Sequence, residues 1–133
     1  MKNNNFDLNK LGEDSILIEN TLRAALESNF SSVMLTSADA GYATLYVNPA
    51  FTELTGYSYD EIVGKDPGIL QGPNTDRKLL GQLREKLESG EVFHGKTVNY
   101  RKDRSEFIME WKVYPINNSE NQTTHFLAVQ RAA

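Results

Sequence analysis

Residues 64–72, GKDPGILQG, concentrate the binding chemistry of this chain, because glycines flank Pro67 and a lone Gln71 in the manner of a turn that handles a phosphate or a cofactor. The Gln71 amide offers hydrogen bonds and no nucleophile. The chain contains no cysteine, so disulfides, thiolate nucleophiles and cysteine metal sites are excluded together. Its two histidines, His94 and His125, fall in strand patterns and read as surface or strand-edge residues. There is no Ser-His-Asp order with a glycine elbow, no HExxH and no P-loop. The carboxylates of residues 75–88, TDRKLLGQLREKLE, spread round a helix as a solvated face. Neither a catalytic residue nor a metal ligand is expected, and the chain is read as non-enzymatic.

The elements that must position Gln71 follow from periodicity. Leu8, Leu11, Ser15, Ile18, Leu22 and Ala25 recur at spacings of three and four, with Glu13, Glu19, Arg23 and Glu27 off that seam, which predicts an amphipathic helix up to about Asn29. The seam is shorter than three heptads and Ser15 interrupts it, so it serves either a dimer contact or packing on its own domain. From Ser31 the period becomes that of strands: SSVMLTSA and ATLYVN flank the turn Asp39-Ala40-Gly41 and predict a hairpin. Asn48 caps and Pro49 opens a short helix, NPAFTELTG, stopped by Gly56. Ser58 and Glu61 form a capping box for YDEIV, which Gly64 ends. The glycines and prolines of GKDPGILQGPNTD prevent a long element there, and Asn74 or Thr75 can cap the helix that follows. Leu79, Leu80, Leu83 and Leu87 give that helix an apolar stripe, and Gly90 closes it. Three strand patterns remain, parted by a turn at Lys102-Asp103-Arg104 and a polar loop from Asn117 to Gln122.

This order predicts an α+β fold: a five-stranded antiparallel sheet with short helices on one face, preceded by an N-terminal amphipathic helix. Residues 1–29 form the flanking helix and 30–133 the core, with a cavity between sheet and helices suited to a small molecule. A chain of 133 residues is long enough for one such core. Its net charge of -4 with scattered Lys and Arg supplies no basic face for nucleic acid. No apolar run approaches the ~20 residues of a membrane helix, and MKNNNFDLNK lacks a signal peptide's apolar centre. A cytoplasmic location without membrane insertion is expected.

YVNPAFTELTGYSYDEIVGK, the RKD-type turn between two long strands and the closing HFLAVQ together resemble a PAS domain, a sensor module of histidine kinases, cyclic-dinucleotide enzymes and transcriptional regulators. The resemblance runs from about Ser31 to Arg131. It implies a sensory role within a larger signalling protein with a downstream effector domain, and the chain's end just past its last strand fits a domain taken from one.

Within that family GKDPGILQGPNTDR is similar to the flavin-binding light-oxygen-voltage branch, whose run is close to G-R-N-C-R-F-L-Q-G-P-E-T-D. Pro67 stands at the photoactive cysteine, Asp66 at a flavin-contacting asparagine and Gly68 at a phosphate-binding arginine. Arg84 matches a second phosphate-binding arginine, Asn99 the first strand asparagine and Gln130 the final-strand glutamine, while Met109 replaces the second strand asparagine and reads as a core gap-filler. The resemblance therefore implies Gln71, Arg84, Asn99 and Gln130 as cofactor-binding residues. It leaves the native ligand open, with a flavin (FMN or FAD) as the candidate cofactor, and speaks against haem, whose ligands in such domains lie in the helical region. A covalent thiol adduct is excluded.

Three readings follow. The first is a sensory domain that relays a ligand or partner through its flanking helix and terminal strand, as a homodimer through the N-terminal helix. The second is a cysteine-less flavin sensor of redox state or blue light. In the third, Phe51, Phe107 and Trp111 fill the pocket of a ligand-free dimerisation module.

Overall fold

The computed structural model describes residues 12–133 together with Asp7 and Lys10. Gly12 takes a left-handed φ of 72°, and the helix begins only after the Asp14 carboxylate, which accepts from the backbone N–H of Ile16 (3.0 Å) and Leu17 (3.1 Å). Helix α1 thus spans Ser15–Glu27. Leu8 and Leu11 of the predicted seam lie outside the described residues. Ser15 opens the helix instead of interrupting it, Ile18 is half-buried, and Leu22 and Ala25 face solvent.

Strands β1 (Ser32–Ser37) and β2 (Thr44–Val47) form the predicted hairpin. Helix α2 (Pro49–Thr55) starts at the Asn48 cap and ends at Gly56. Helix α3 (Tyr59–Ile62) has both halves of its capping box: Glu61 N–H donates to Ser58 Oγ (3.2 Å) and Ser58 N–H to Glu61 Oε1 (2.9 Å). Residues Pro67–Leu70 make one 3-10 turn, capped by Asp66.

Helix α4 (Arg77–Glu88) corrects one expectation, because its cap is Asp76, whose carboxylate accepts from Leu79 N–H at 3.0 Å. A carboxylate at a helix N-terminus also gains from the helix dipole. Asn74 and Thr75 serve the sheet instead: Thr75 Oγ1 donates to the Val98 carbonyl (2.7 Å), and Asn74 Nδ2 to Glu106 (2.6 Å).

Strands β3 (Phe93–Tyr100), β4 (Glu106–Asn117) and β5 (Thr123–Ala132) form the C-terminal meander. The sheet is five-stranded and antiparallel in the order β2-β1-β5-β4-β3, so the N-terminal hairpin joins the meander along the β1–β5 seam. Alternation along β4 sends Phe107, Met109, Trp111 and Val113 inward and leaves Ile108 and Tyr114 on the other face. The inward residues meet Phe51 and Ile62, both fully buried, and the apolar stripe of α4. Each such large side chain contributes about 1.5–3 kcal/mol through burial. Gly72 lets the turn lie flush on β3, since a Cβ there would fall 2.2 Å from the Tyr100 ring.

Candidate functional site

The helices do not close over the sheet. Between α4, the Asp66–Gln71 segment and the inner faces of β1, β4 and β5 lies a cavity of about 700 Å³. Met34, Trp111, Val113, Phe126, Leu80 and Leu83 give it apolar walls, and a few polar groups converge on it. That composition and size suit an organic ligand. Phe51, Phe107 and Trp111 are all buried, yet they leave this volume unfilled.

Three of the four residues singled out from the sequence, Gln71, Arg84 and Gln130, line this cavity. Gln130 is only 5% exposed. Its Oε1 accepts from Ser32 Oγ at 2.9 Å across the β1–β5 seam, while its amide nitrogen has no hydrogen-bond partner among the described residues. Buried amides are normally satisfied, so an open donor in a cavity wall marks a place for an acceptor. Arg84, on the exposed side of α4, makes no hydrogen bond or ion pair among the described residues. Glu88, one turn on, lines the same cavity without pairing with it; arginine preceding glutamate is the weaker order for such a pair.

The remaining two amides are engaged. Gln71 Oε1 accepts from Arg77 Nη1 at 2.6 Å. Asn99, buried in β3, donates its Nδ2 to Met109 Sδ at 3.3 Å and does not line the cavity. The residue that stands at a strand asparagine in the resemblance thus holds its neighbour's amide away from the cavity.

Two residues outside those four complete the arrangement. Ser32 is the first residue of β1, and only the β1–β5 register puts it against Gln130. Asn48, legible as a cap, does more than cap. It is 1% exposed; its Oδ1 accepts from Val33 N–H (2.8 Å) and Phe51 N–H (3.2 Å), and its Nδ2 donates to the carbonyls of Ser31 and Leu26 (both 2.9 Å). One side chain therefore ties the last turn of α1 to both neighbours of Ser32. Nearby, burial, then the Glu27 carboxylate and then Tyr59 raise the Tyr46 phenol above its ordinary value, and its buried hydroxyl has no hydrogen-bond partner among the described residues.

On the opposite face of the sheet, Glu110 meets His94 (2.7 Å) and Arg131 (2.9 Å), which hold its carboxyl below the ordinary range. Among the described residues no cluster of three or more histidines and carboxylates is placed to hold a metal ion, and no helix is long and apolar enough to cross a membrane.

A sheet of this order with a cavity under short helices invites comparison with known proteins, and the PAS domain model matches residues 31–131. The chain belongs to the PAS family. As a PAS domain it is 29% identical over 101 residues to a nitrogen fixation regulatory protein of Klebsiella oxytoca, covering 76% of this chain and 20% of that protein. It is 35% identical over 86 residues to phototropin-2 of Oryza sativa subsp. japonica, covering 65% and 10% respectively. This PAS chain spans a fifth or less of the length of those relatives. Among solved structures, it is similar to a light-oxygen-voltage domain whose mechanism was probed with a flavin analogue, at a TM-score of 0.76 and 28% identity over 90% of this chain and 86% of the other. An RNA-binding light-oxygen-voltage receptor shares the fold, with a TM-score of 0.83 at 24% identity over 89% of this chain and 34% of the receptor. The neighbours place this PAS domain beside the light-oxygen-voltage branch, whose photoactive cysteine it lacks. PAS domains of this kind are sensory modules.

Proposed function

We propose that this PAS domain is the non-enzymatic sensor of a larger signalling protein, that its cavity takes a flavin without covalent attachment, and that occupancy is relayed to α1. The observation that carries the reading is Gln130: it lines the cavity with its amide nitrogen unpaired among the described residues, while its oxygen accepts from Ser32. Apolar walls and a volume of about 700 Å³ fit a flat heteroaromatic ring, and a likeness to a domain probed with a flavin analogue supports that ligand class. When bound, a flavin supplies a blue-absorbing, redox-active ring. The chain's residues bind and orient it: Gln130 and Gln71 offer amides, Arg84 a cation, and Leu80, Leu83 and Trp111 exclude water.

A change in what Gln130 bonds alters its hold on Ser32. Ser32 lies between the Ser31 carbonyl and the Val33 N–H, both held by Asn48, whose amide also holds the Leu26 carbonyl. This path runs from cavity to flanking helix through hydrogen bonds and one strand. It shifts the helix only if ligand affinity differs between two packings of α1.

The first test is the visible absorption spectrum of the protein after mixing with excess flavin and removing what is unbound. A structured blue band that stays with the protein is expected, together with altered amide hydrogen exchange over Ile18–Ser28 that Gln130→Leu abolishes. A colourless protein overturns the flavin, and unaltered exchange in a yellow protein overturns the relay.

A further inference from the structure

Among the described residues a single fully buried side-chain oxygen or nitrogen lacks a hydrogen-bond partner, the hydroxyl of Tyr46 in β2. Leaving such a group unpaired is costly, and native folds do so where the group has a further use. An edge-on contact with Tyr59, ring centre to ring centre 6.3 Å, fixes the phenol ring. Tyr46 precedes Asn48 by two residues of extended chain, so the two side chains leave the same face. Asn48 grips α1 at the Leu26 carbonyl, and the next residue of that helix is Glu27. The Glu27 carboxylate is exposed and makes no hydrogen bond or ion pair among the described residues. Burial first, and then this carboxylate, raises the Tyr46 phenol, so the charge acts on the ring. A buried donor without an acceptor and a carboxylate without a donor are thus neighbours at the end of α1 that Asn48 holds.

We infer that Tyr46 and Glu27 form a second grip on α1, open in this packing of the helix and closed in another, in which the Tyr46 hydroxyl donates to the Glu27 carboxylate as Asn48 loosens its hold on Leu26. The inference rests on the relay proposed above and names the two packings that the relay needs. In the open packing the last turn of α1 is held by the neutral bond from Asn48 Nδ2 to the Leu26 carbonyl, at 2.9 Å. In the closed packing a phenol bonds an ionised carboxylate, a stronger class of hydrogen bond. Drawing that carboxylate out of water beside the ring opposes the gain. A gain and a cost of this kind keep the two packings close in free energy, the condition under which a ligand of unequal affinity shifts one into the other. Tyr59 holds the ring meanwhile, so the approach is made by Glu27 and the last turn of the helix.

The first arm of the test needs no ligand. The tyrosines are labelled with carbon-13 at Cζ, and the Tyr46 resonance, identified by its loss in Tyr46→Phe, is titrated with alkali in wild type and in Glu27→Gln. Removing the charge should bring the Tyr46 phenol down toward its ordinary value; an unmoved titration puts the carboxylate out of reach and overturns the inference. The second arm follows amide hydrogen exchange over Ile18–Ser28 with and without saturating FMN. Binding should slow exchange there by about tenfold or more in wild type, and Tyr46→Phe and Glu27→Gln should each abolish the slowing while the protein stays yellow. Slowing that persists in Tyr46→Phe overturns the second grip and leaves the relay standing, whereas unchanged exchange in yellow wild-type protein overturns both. A protein that keeps no flavin overturns the flavin reading alone, and the titration then decides whether Glu27 reaches the hydroxyl. Because that hydroxyl makes no bond in the open packing, Tyr46→Phe should unfold at the temperature of wild type or above it, which separates a lost switch from a lost fold. Glu27→Gln, at an exposed position, preserves the test if Tyr46→Phe fails to fold.

Discussion

Asn48 and Gln130 are both buried amides touching the first residues of β1, and they are used in opposite ways. Asn48 has all its hydrogen-bonding capacity engaged by protein groups from α1, β1 and α2. The Gln130 side chain has one bond among the described residues, to Ser32, and lines the cavity with its nitrogen unpaired. A closed amide fixes geometry, because each of its partners would otherwise be a buried unsatisfied group. An open amide beside a cavity keeps capacity for a ligand, and the fold tolerates it only because the cavity admits water or a guest.

The sharpest way to break this contrast is to remove each amide in turn. Asn48→Ala leaves Val33 N–H and the Ser31 and Leu26 carbonyls without their partner and deletes the α2 cap, which should cost about 3–5 kcal/mol. Gln130→Leu removes one hydrogen bond and should cost about 1 kcal/mol or less. Urea unfolding midpoints measure both. Equal costs would make Gln130 as much a scaffold residue as Asn48 and remove the ground for treating it as a ligand group.

How far the sequence displays this contrast depends on range. Asn48, Pro49 and Gly56, and Ser58 with Glu61, announce their helices because a cap acts within three residues. The β3–β4 turn and the stripe of α4 are equally local. The start of α1 is hidden in the sequence because an apolar period runs on through Gly12 and Asp14, and so is the α4 cap at Asp76, one or two residues past Thr75 and Asn74, because all three are competent caps. At the site, Gln71, Arg84 and Gln130 were legible through resemblance and meet at one cavity. Ser32 and Arg77 were not, since their significance arises from a strand register and from a guanidinium reaching back across a loop. The Asn99–Met109 contact is likewise a cross-strand event, set by Thr97↔Met109 and Asn99↔Phe107 pairing.

A second fixed contact, between α3 and the β3–β4 turn, responds to pH and has an effect of intermediate size. Glu61 accepts from Lys102 and from Ser58 N–H, joining α3 to the β3–β4 turn, and the Lys102 hydrogen bond, then the Ser58 one, lowers its carboxyl from 4.5 to about 2. Because the folded value is the lower one, the contribution is present above about pH 4.5 and is lost as pH falls toward 2. Stability measured across that window should decline, and Glu61→Gln should flatten the decline. An unaltered acid limb in the variant would mean that this pair does not hold the turn.

The smallest effect on stability, and the one that tests what the Asn48 contacts hold α1 for, belongs to that helix. Asn48 grips the helix by its last turn, yet none of its residues is fully buried, and Ile16 and Leu22 are 62% and 58% exposed. On the dimer reading, Leu22, which lies on the seam expected from the sequence, meets a second copy of the chain. Leu22→Glu should therefore change stability by no more than about 0.5 kcal/mol, as an exposed position does, while converting a dimer to a monomer in light scattering or sedimentation. If wild type and variant have the same mass, α1 is not a dimer contact. Asn48 would then hold the helix against its own domain alone, where its packing, not partnering, would be the quantity that the cavity controls.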